Sequence, residues 1–242
     1  MELFYNPELM PDHELRATFV GRQELVDELV ELIGRQSDGA GVQHVVLIAP
    51  RGMGKTTVLL MLRMAIREGP LGAQWQPVKL REEAYGVTDL ADLWMEVLQQ
   101  LAAETADASL RRRAEALRAE YTSSLDLQEA ALALLRDWRR QHGKRFVLLV
   151  DNLDLILDQI HDEQENARLR NVLMNDGTIL LIGTATSFFK EARAYDQPLY
   201  NFFKLYHLDR LSEEETRDLL RRRAVQDGIA GFEQMLQAHS SR

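Results

Sequence analysis

Residues 45–57 read Val-Val-Leu-Ile-Ala-Pro-Arg-Gly-Met-Gly-Lys-Thr-Thr: an apolar run, a break at two glycines, then residues that open a helix. Few segments narrow the choice of fold as far. Ala49–Thr56 has the spacing of a phosphate-binding loop, with Ala49 where the first glycine usually stands. Gly52 and Gly54 let the backbone turn tightly and aim N–H groups at phosphate oxygens. Lys55 reaches the β- and γ-phosphates, and the Thr56 hydroxyl can ligate Mg2+. The helix that starts here adds its positive N-terminal end. Pro50, Arg51, Met53 and Thr57 complete the nucleotide-binding candidates in this loop. An apolar strand feeding such a loop suits a buried parallel sheet, with its ligand at the carboxyl ends of the strands.

The chain has 242 residues, enough for one large core domain and the start of a second. No apolar run approaches the length of a membrane span, and Met1–Met10 has no basic region followed by an apolar core, so neither a membrane partner nor a secretory signal is expected. Cysteine is absent, which excludes disulfides and thiolate metal sites; a cytoplasmic location is the expectation. The six histidines (His13, His44, His142, His161, His207, His239) show no ligand spacing, and Mg2+ is the one metal expected. His44, ahead of a buried strand, reads as structural. A net charge of −9 disfavours nucleic-acid binding through the overall field. Three basic clusters run against that balance: Arg111–Arg113, Arg136 with Arg139, Arg140, Lys144 and Arg145, and Arg221–Arg223. They read as solvated helix faces offset by nearby carboxylates.

Along the chain, residues 1–18 read as irregular. A helix follows to about Ile33, with Leu25, Leu29, Leu32 and Ile33 on one face. His44–Ala49 is the first strand, and Lys55 to about Arg67 is a helix ended by Gly69-Pro70. Gln76–Arg81 reads as a strand. Thr88 or Asp89 caps a helix to about Ala103, with Leu90, Leu93, Trp94, Val97 and Leu101 inward. Helices over about 107–121 and 126–141 follow; they either pack on the sheet or form a projecting pair that recruits a partner. Arg145–Asp151 and Thr178–Thr184 are strands on either side of a helix from Asp162 to about Met174. Ser212-Glu213-Glu214-Glu215 is a capping box before a helix with Leu219 and Leu220 inward, and a further helix begins near Phe232. Alternating strands and helices imply parallel βαβ units.

Nucleotide hydrolysis needs more than a loop. Phe146–Asp151 is a buried strand that delivers a carboxylate at its end, and Asp151 is placed to hold Mg2+ through its water shell. Asn152 follows, where many such ATPases have Glu. An amide can position water but cannot usefully accept its proton. Asp154 stands two residues further on.

These residues resemble AAA+ and STAND ATPases, most nearly the origin-recognition branch of AAA+ proteins. The resemblance rests on Phe19-Val20-Gly21-Arg22-x-Glu24, then Ala49–Thr56, Asp151-Asn152-Leu153-Asp154 and Leu181–Thr186 in that order, and covers about residues 17–225. It implies an α/β fold: a three-layer P-loop NTPase core, a parallel sheet flanked by helices, followed by the start of a small helical lid. The expected division is an arm at 1–18, a core at 19–210 with a helical insertion at about 104–143, and a partial lid at 211–242. It implies that Phe19 and Val20 lie by the adenine, that Arg22 helps close that pocket, and that Thr186, or less closely Thr184, takes the sensor position near the γ-phosphate. A β-branched strand end accounts for either threonine equally well. The arginine finger of ring-forming relatives is missing from Gln197–Phe203, with Arg193 and Lys204 as nearby cations. The second sensor arginine is expected beyond Arg242, in a continuation carrying a winged helix or a repeat array.

The function expected is an ATP-binding module that uses Mg-ATP as a conformational switch with slow or partner-dependent hydrolysis, in which Lys55, Asp151, Asn152 and Thr186 are the catalytic candidates. Two alternatives stand beside it: an active ATPase that loads or remodels a DNA complex, and a non-hydrolysing scaffold. Expected partners are the nucleotide, a protein or a second copy of the chain, and DNA through a C-terminal domain.

Overall fold

The computed structural model describes residues 6–36, 41–81, 86–160, 162–187, 199, 201–229 and 231–232. Among them, five parallel strands form one sheet: β1 (Val45–Ile48), β2 (Trp75–Lys79), β3 (Arg145–Val150), β4 (Ile179–Ala185) and β5 (Lys204–His207), in the order β2-β3-β4-β1-β5. All four β1 residues are buried because both faces of the sheet are covered. Val45 and Leu47 face α2 (Gln23–Gly34) and α3 (Lys55–Glu68), while Val46 and Ile48 join the opposite layer. That layer holds α4 (Leu90–Glu104), α5 (Ala108–Glu120), α6 (Ser124–His142), α7 (Leu153–Gln159) and α8 (Glu163–Asn175).

The inward face read for α4 is buried in full. The α5–α6 pair does not project: Leu110, Ala114, Leu134 and Trp138 are buried in the same cluster as β3, and Trp138 lies against Phe146 with ring centroids 5.4 Å apart. Each such Leu or Trp removes enough apolar area from water to contribute about 1.5–3 kcal/mol. Arg145 departs from the solvated face read for its cluster. It opens β3 buried, with its guanidinium 4.0 Å from the Trp75 ring centroid and donating to the Gln36 carbonyl at 3.0 Å. Arg136 and Arg140 pair with Asp176 and Asp137.

Two helices were not legible. Within the arm expected to be irregular, α1 (Asp12–Thr18) follows a 3-10 turn at Pro7–Leu9. Leu15 of α1 is buried with Leu60 and Met64 of α3; Asp12 pairs with Arg67 at 2.6 Å and Arg16 with Glu68 at 2.5 Å. Seven residues are too few for helical periodicity to declare itself. The second, α7, opens directly after β3, where Asn152 adopts a left-handed conformation (φ +51°) that Asn tolerates better than most residues. Gly183 on β4 gives α7 its seat: a Cβ there would lie 2.6 Å from Leu153 Cδ2.

The final described helix, α9 (Glu213–Gln226), begins at Ser212 with the capping box read from the sequence. Its buried residue is Ala224; Leu219 is half-buried and Leu220 exposed, which corrects the inward reading of both. The helix expected beyond Phe232 falls outside the described residues, as do Arg193, Gln197, Pro198 and Tyr200.

Candidate nucleotide site

The phosphate-binding loop leaves β1 and closes onto α3. Gly52 (φ +78°) and Gly54 (φ +83°) both occupy the left-handed region, which is open to glycine at no steric cost, and Gly54 is the residue on which α3 starts. Lys55 lies in the first turn of α3. Its ammonium is buried and donates to the carbonyls of Ala49 (2.7 Å) and Pro50 (3.1 Å). Burial pulls its pKa below the ordinary lysine value, while the carboxylates of Asp151 and Asp154 act in the opposite sense. The loop thus presents a fixed cation and a helix N-terminus to one point.

Sheet order brings the second half of the site to that point. β4 separates β3 from β1, and Ala49 N–H continues the ladder by donating to Ala185 at 3.2 Å. Asp151, at the end of β3 and 2% exposed, is held from two sides. The Thr56 hydroxyl donates to its Oδ2 at 2.5 Å, and the Thr184 hydroxyl donates to its Oδ1. Thr184 also accepts from the Asn152 N–H at 3.0 Å. A hydroxyl and a carboxylate in contact are the protein share of an Mg2+ site whose other ligands are phosphate and water oxygens, so the donor set fits that ion. No group of three or more metal-binding side chains occurs among the described residues.

Asp154 and Thr186 form a separate pair. The Asp154 carboxylate accepts from the Thr186 N–H (2.9 Å) and hydroxyl (2.8 Å), which ties the start of α7 to the end of β4. Neither residue lines the cavity at the loop.

That cavity has a volume of about 920 Å³, within the range of small-molecule sites. Of the residues singled out in the sequence, it brings together Phe19, Val20, Arg22, Arg51, Gly52, Met53, Gly54, Lys55, Thr56, Thr57, Asp151 and Asn152; Pro50 stands outside the lining. Asp151 is the one acid among the described lining residues. The opposite wall was not read from the sequence. Thr216, Leu219, Leu220 and Arg223 of α9 close it, Arg210 and Leu211 come from the segment between β5 and α9, and Leu155, Ile156 and Gln159 add a face of α7. The one available signal was the capping box, which located α9 but not the direction it faces.

Arg22 fastens this wall: its guanidinium donates to the Asp209 carbonyl in the segment leading into α9. Gly21 (φ +68°) lies so close to α9 that a Cβ would sit 2.5 Å from Glu215 Oε1 and 2.7 Å from Leu211 Cδ2. The 19–22 motif is therefore the seam between core and α9.

Comparison with known proteins bears on the fold and the family. No curated protein matches the chain. Among solved structures, the ORC1 protein of Aeropyrum pernix in complex with DNA superposes with a TM-score of 0.60 at 17% identity, over 90% of this chain and 52% of that one. The ORC2 protein of the same organism, as ADPNP-ADP complexes, gives 0.60 at 17% over 93% and 54%. A Walker-type ATPase of Pyrococcus abyssi gives 0.54 at 13% over 87% and 59%. At these identities the likeness is one of fold, that of the origin-recognition-like ATPases, and the chain spans about half the length of the structures it matches. Among the described residues no helix is long and apolar enough to cross a membrane. A family model for an AAA ATPase domain matches residues 18–182, from the residue before Phe19 into β4, and over well more than half its length the chain belongs to that family.

Proposed function

We propose that the chain binds Mg-ATP between its P-loop core and α9 and uses the nucleotide as a conformational switch, with slow or partner-dependent hydrolysis. The observation that carries this reading is the two-sided cavity: its floor is the loop that starts α3, and its roof is α9, joined to the core through a short hinge. A ligand that touches both walls stabilises the closed arrangement by its differential affinity for it.

Thr56 and Asp151 would hold Mg2+, which supplies charge neutralisation between the β- and γ-phosphates. Lys55 would exchange its two loop carbonyls for phosphate oxygens, a charge-assisted contact. Thr184 keeps the Asp151 carboxylate oriented. Phe19 and Val20 would border the base. Slow turnover is supported by the acids available: Asp154 is engaged by Thr186, and Asn152 stands next to Asp151 with no basic oxygen for a proton. Preference for ATP, a cytoplasmic location and a protein partner or second copy as the reader of the switch belong to the same reading. The ORC1 structure was solved with DNA, which supports DNA as a second partner; against it stand the acidic net charge and the carboxylate pairing of Arg113, Arg136 and Arg140.

Calorimetry with ATP and Mg2+ tests the core of this. Wild type should bind and Lys55→Ala should not; no binding by wild type, or intact binding by the variant, refutes it. Phosphate release should be low and should rise in Asn152→Glu. Release by wild type no faster than by Asp151→Asn would leave a scaffold, and retardation of DNA in dilute buffer would favour the loader.

A further inference from the structure

Among the described residues the cavity wall carries five cations, Arg22, Arg51, Lys55, Arg210 and Arg223, against one acid. Three are committed within the protein: Arg22 to the Asp209 carbonyl, Lys55 to Ala49 and Pro50, and Arg223 to Asp227. Arg51 belongs to the loop itself. Arg210 is exposed and, among the described residues, makes no hydrogen bond or ion pair.

Its backbone, by contrast, is fixed on both sides. Leu208 N–H donates to the Ile48 carbonyl at 3.0 Å, extending the β1–β5 ladder. Asp209 is held by Arg22, Leu211 lies against Gly21, and Ser212 caps α9. The β1–β5 register pairs Ile48 with His207. The ladder ends there, at the mouth of the phosphate-binding loop, and Arg210 lines the same cavity as Arg51 and Lys55. A guanidinium on a fixed backbone, in the cavity of a phosphate-binding loop and without an acceptor among the described residues, is suited to a polyphosphate.

We propose that Arg210 contacts the nucleotide from the hinge, its guanidinium binding the β- and γ-phosphates held by the loop. The assignment rests on the nucleotide-binding reading above and adds to it a residue that belongs to neither the loop nor the lid helix. Because Arg210 sits where the core meets α9, the same contact couples phosphate occupancy to the angle of the hinge.

Binding of ATP and AMP to wild type, Arg210→Ala and Arg210→Lys tests it, with thermal melting alongside. Arg210→Ala should weaken ATP about tenfold or more, the effect of losing charge-assisted hydrogen bonds, and leave AMP within about twofold. Melting should be unchanged, since the side chain has no partner to lose among the described residues. Arg210→Lys should fall between, since it keeps the charge without the fork. An ATP affinity within about twofold of wild type in Arg210→Ala overturns the proposal, as does an equal loss for ATP and AMP, which would place the residue at the base or in the lid's support. Failure of wild type to bind ATP refutes the parent reading instead; sound binding by wild type with no loss in Arg210→Ala refutes this assignment alone.

Discussion

Protonation of His44 should destabilise this protein from the inside. The ring sits at the entrance to β1, where Nδ1 accepts from the Leu181 N–H at 3.0 Å and Nε2 lies 3.2 Å from the Leu173 carbonyl. An acceptor at one nitrogen and a donor at the other define the neutral Nε2–H tautomer. Phe202 stacks on the ring at 4.8 Å between centroids, and Phe203 meets it edge-on. Burial lowers the pKa to about 4 from the ordinary 6.5, with the Leu173 hydrogen bond acting weakly the other way. The unfolded chain therefore takes up a proton below pH 6.5 that the folded chain refuses until about pH 4. Stability is full above 6.5 and declines as pH falls through that window, by about 2 kcal/mol at pH 5 and about 3 kcal/mol once both states are protonated. That is a large part of a typical domain's 5–15 kcal/mol. Urea unfolding of wild type and His44→Gln at about pH 8, 6.5 and 5 measures it. His44→Gln should be less stable at pH 8 yet lose about 2 kcal/mol less than wild type on going to pH 5. Other titrating groups are common to both proteins and cancel in the difference. Equal losses, within about 0.5 kcal/mol, would refute the argument.

Two further substitutions probe the site's supports. Gly21→Ala puts a Cβ into Glu215 and Leu211 at a left-handed φ; it should cost about 1–3 kcal/mol and weaken ATP, as read by melting and calorimetry, and a variant equal to wild type in both would remove the seam described at 19–22. Thr184→Val keeps the shape but deletes a buried donor to Asp151 and the acceptor of the Asn152 N–H; a loss of about 1–3 kcal/mol is expected, and an unchanged urea midpoint would mean that Asp151 needs no second support.

What the sequence disclosed was whatever is written in consecutive residues. The loop at Ala49–Thr56, the strand ending in Asp151 and the capping box at Ser212 each carry their own chemistry within a few positions, and the structure places them as read. The α4 face was legible because fifteen residues hold several turns of periodicity. By contrast, α1 and α7 have two turns each, and α7 begins on a left-handed Asn that reads as a loop residue. Leu219 and Leu220 misled because apolar spacing marks a face that turns inward, not whether that face is packed or borders a cavity. Arg210 was invisible for another reason: its place opposite the loop depends on β5 pairing with β1, a relation between distant segments.

The placement of α1 has a mechanical consequence. Toward α3 it is joined by the buried Leu15 and by two ion pairs; toward α9 its Glu14 accepts a hydrogen bond from Gln226 at 2.5 Å, and Met10, in the turn before α1, sets its sulfur beside Arg223. A buried leucine contributes about 1.5–3 kcal/mol, while a hydrogen bond near the surface nets about 1 kcal/mol. The two seams of α1 therefore differ in strength, and a load applied through α9 parts the weaker one first. If α9 moves as the proposed switch requires, α1 should stay with the core, its amides keeping their protection from hydrogen exchange when those of α9 lose theirs.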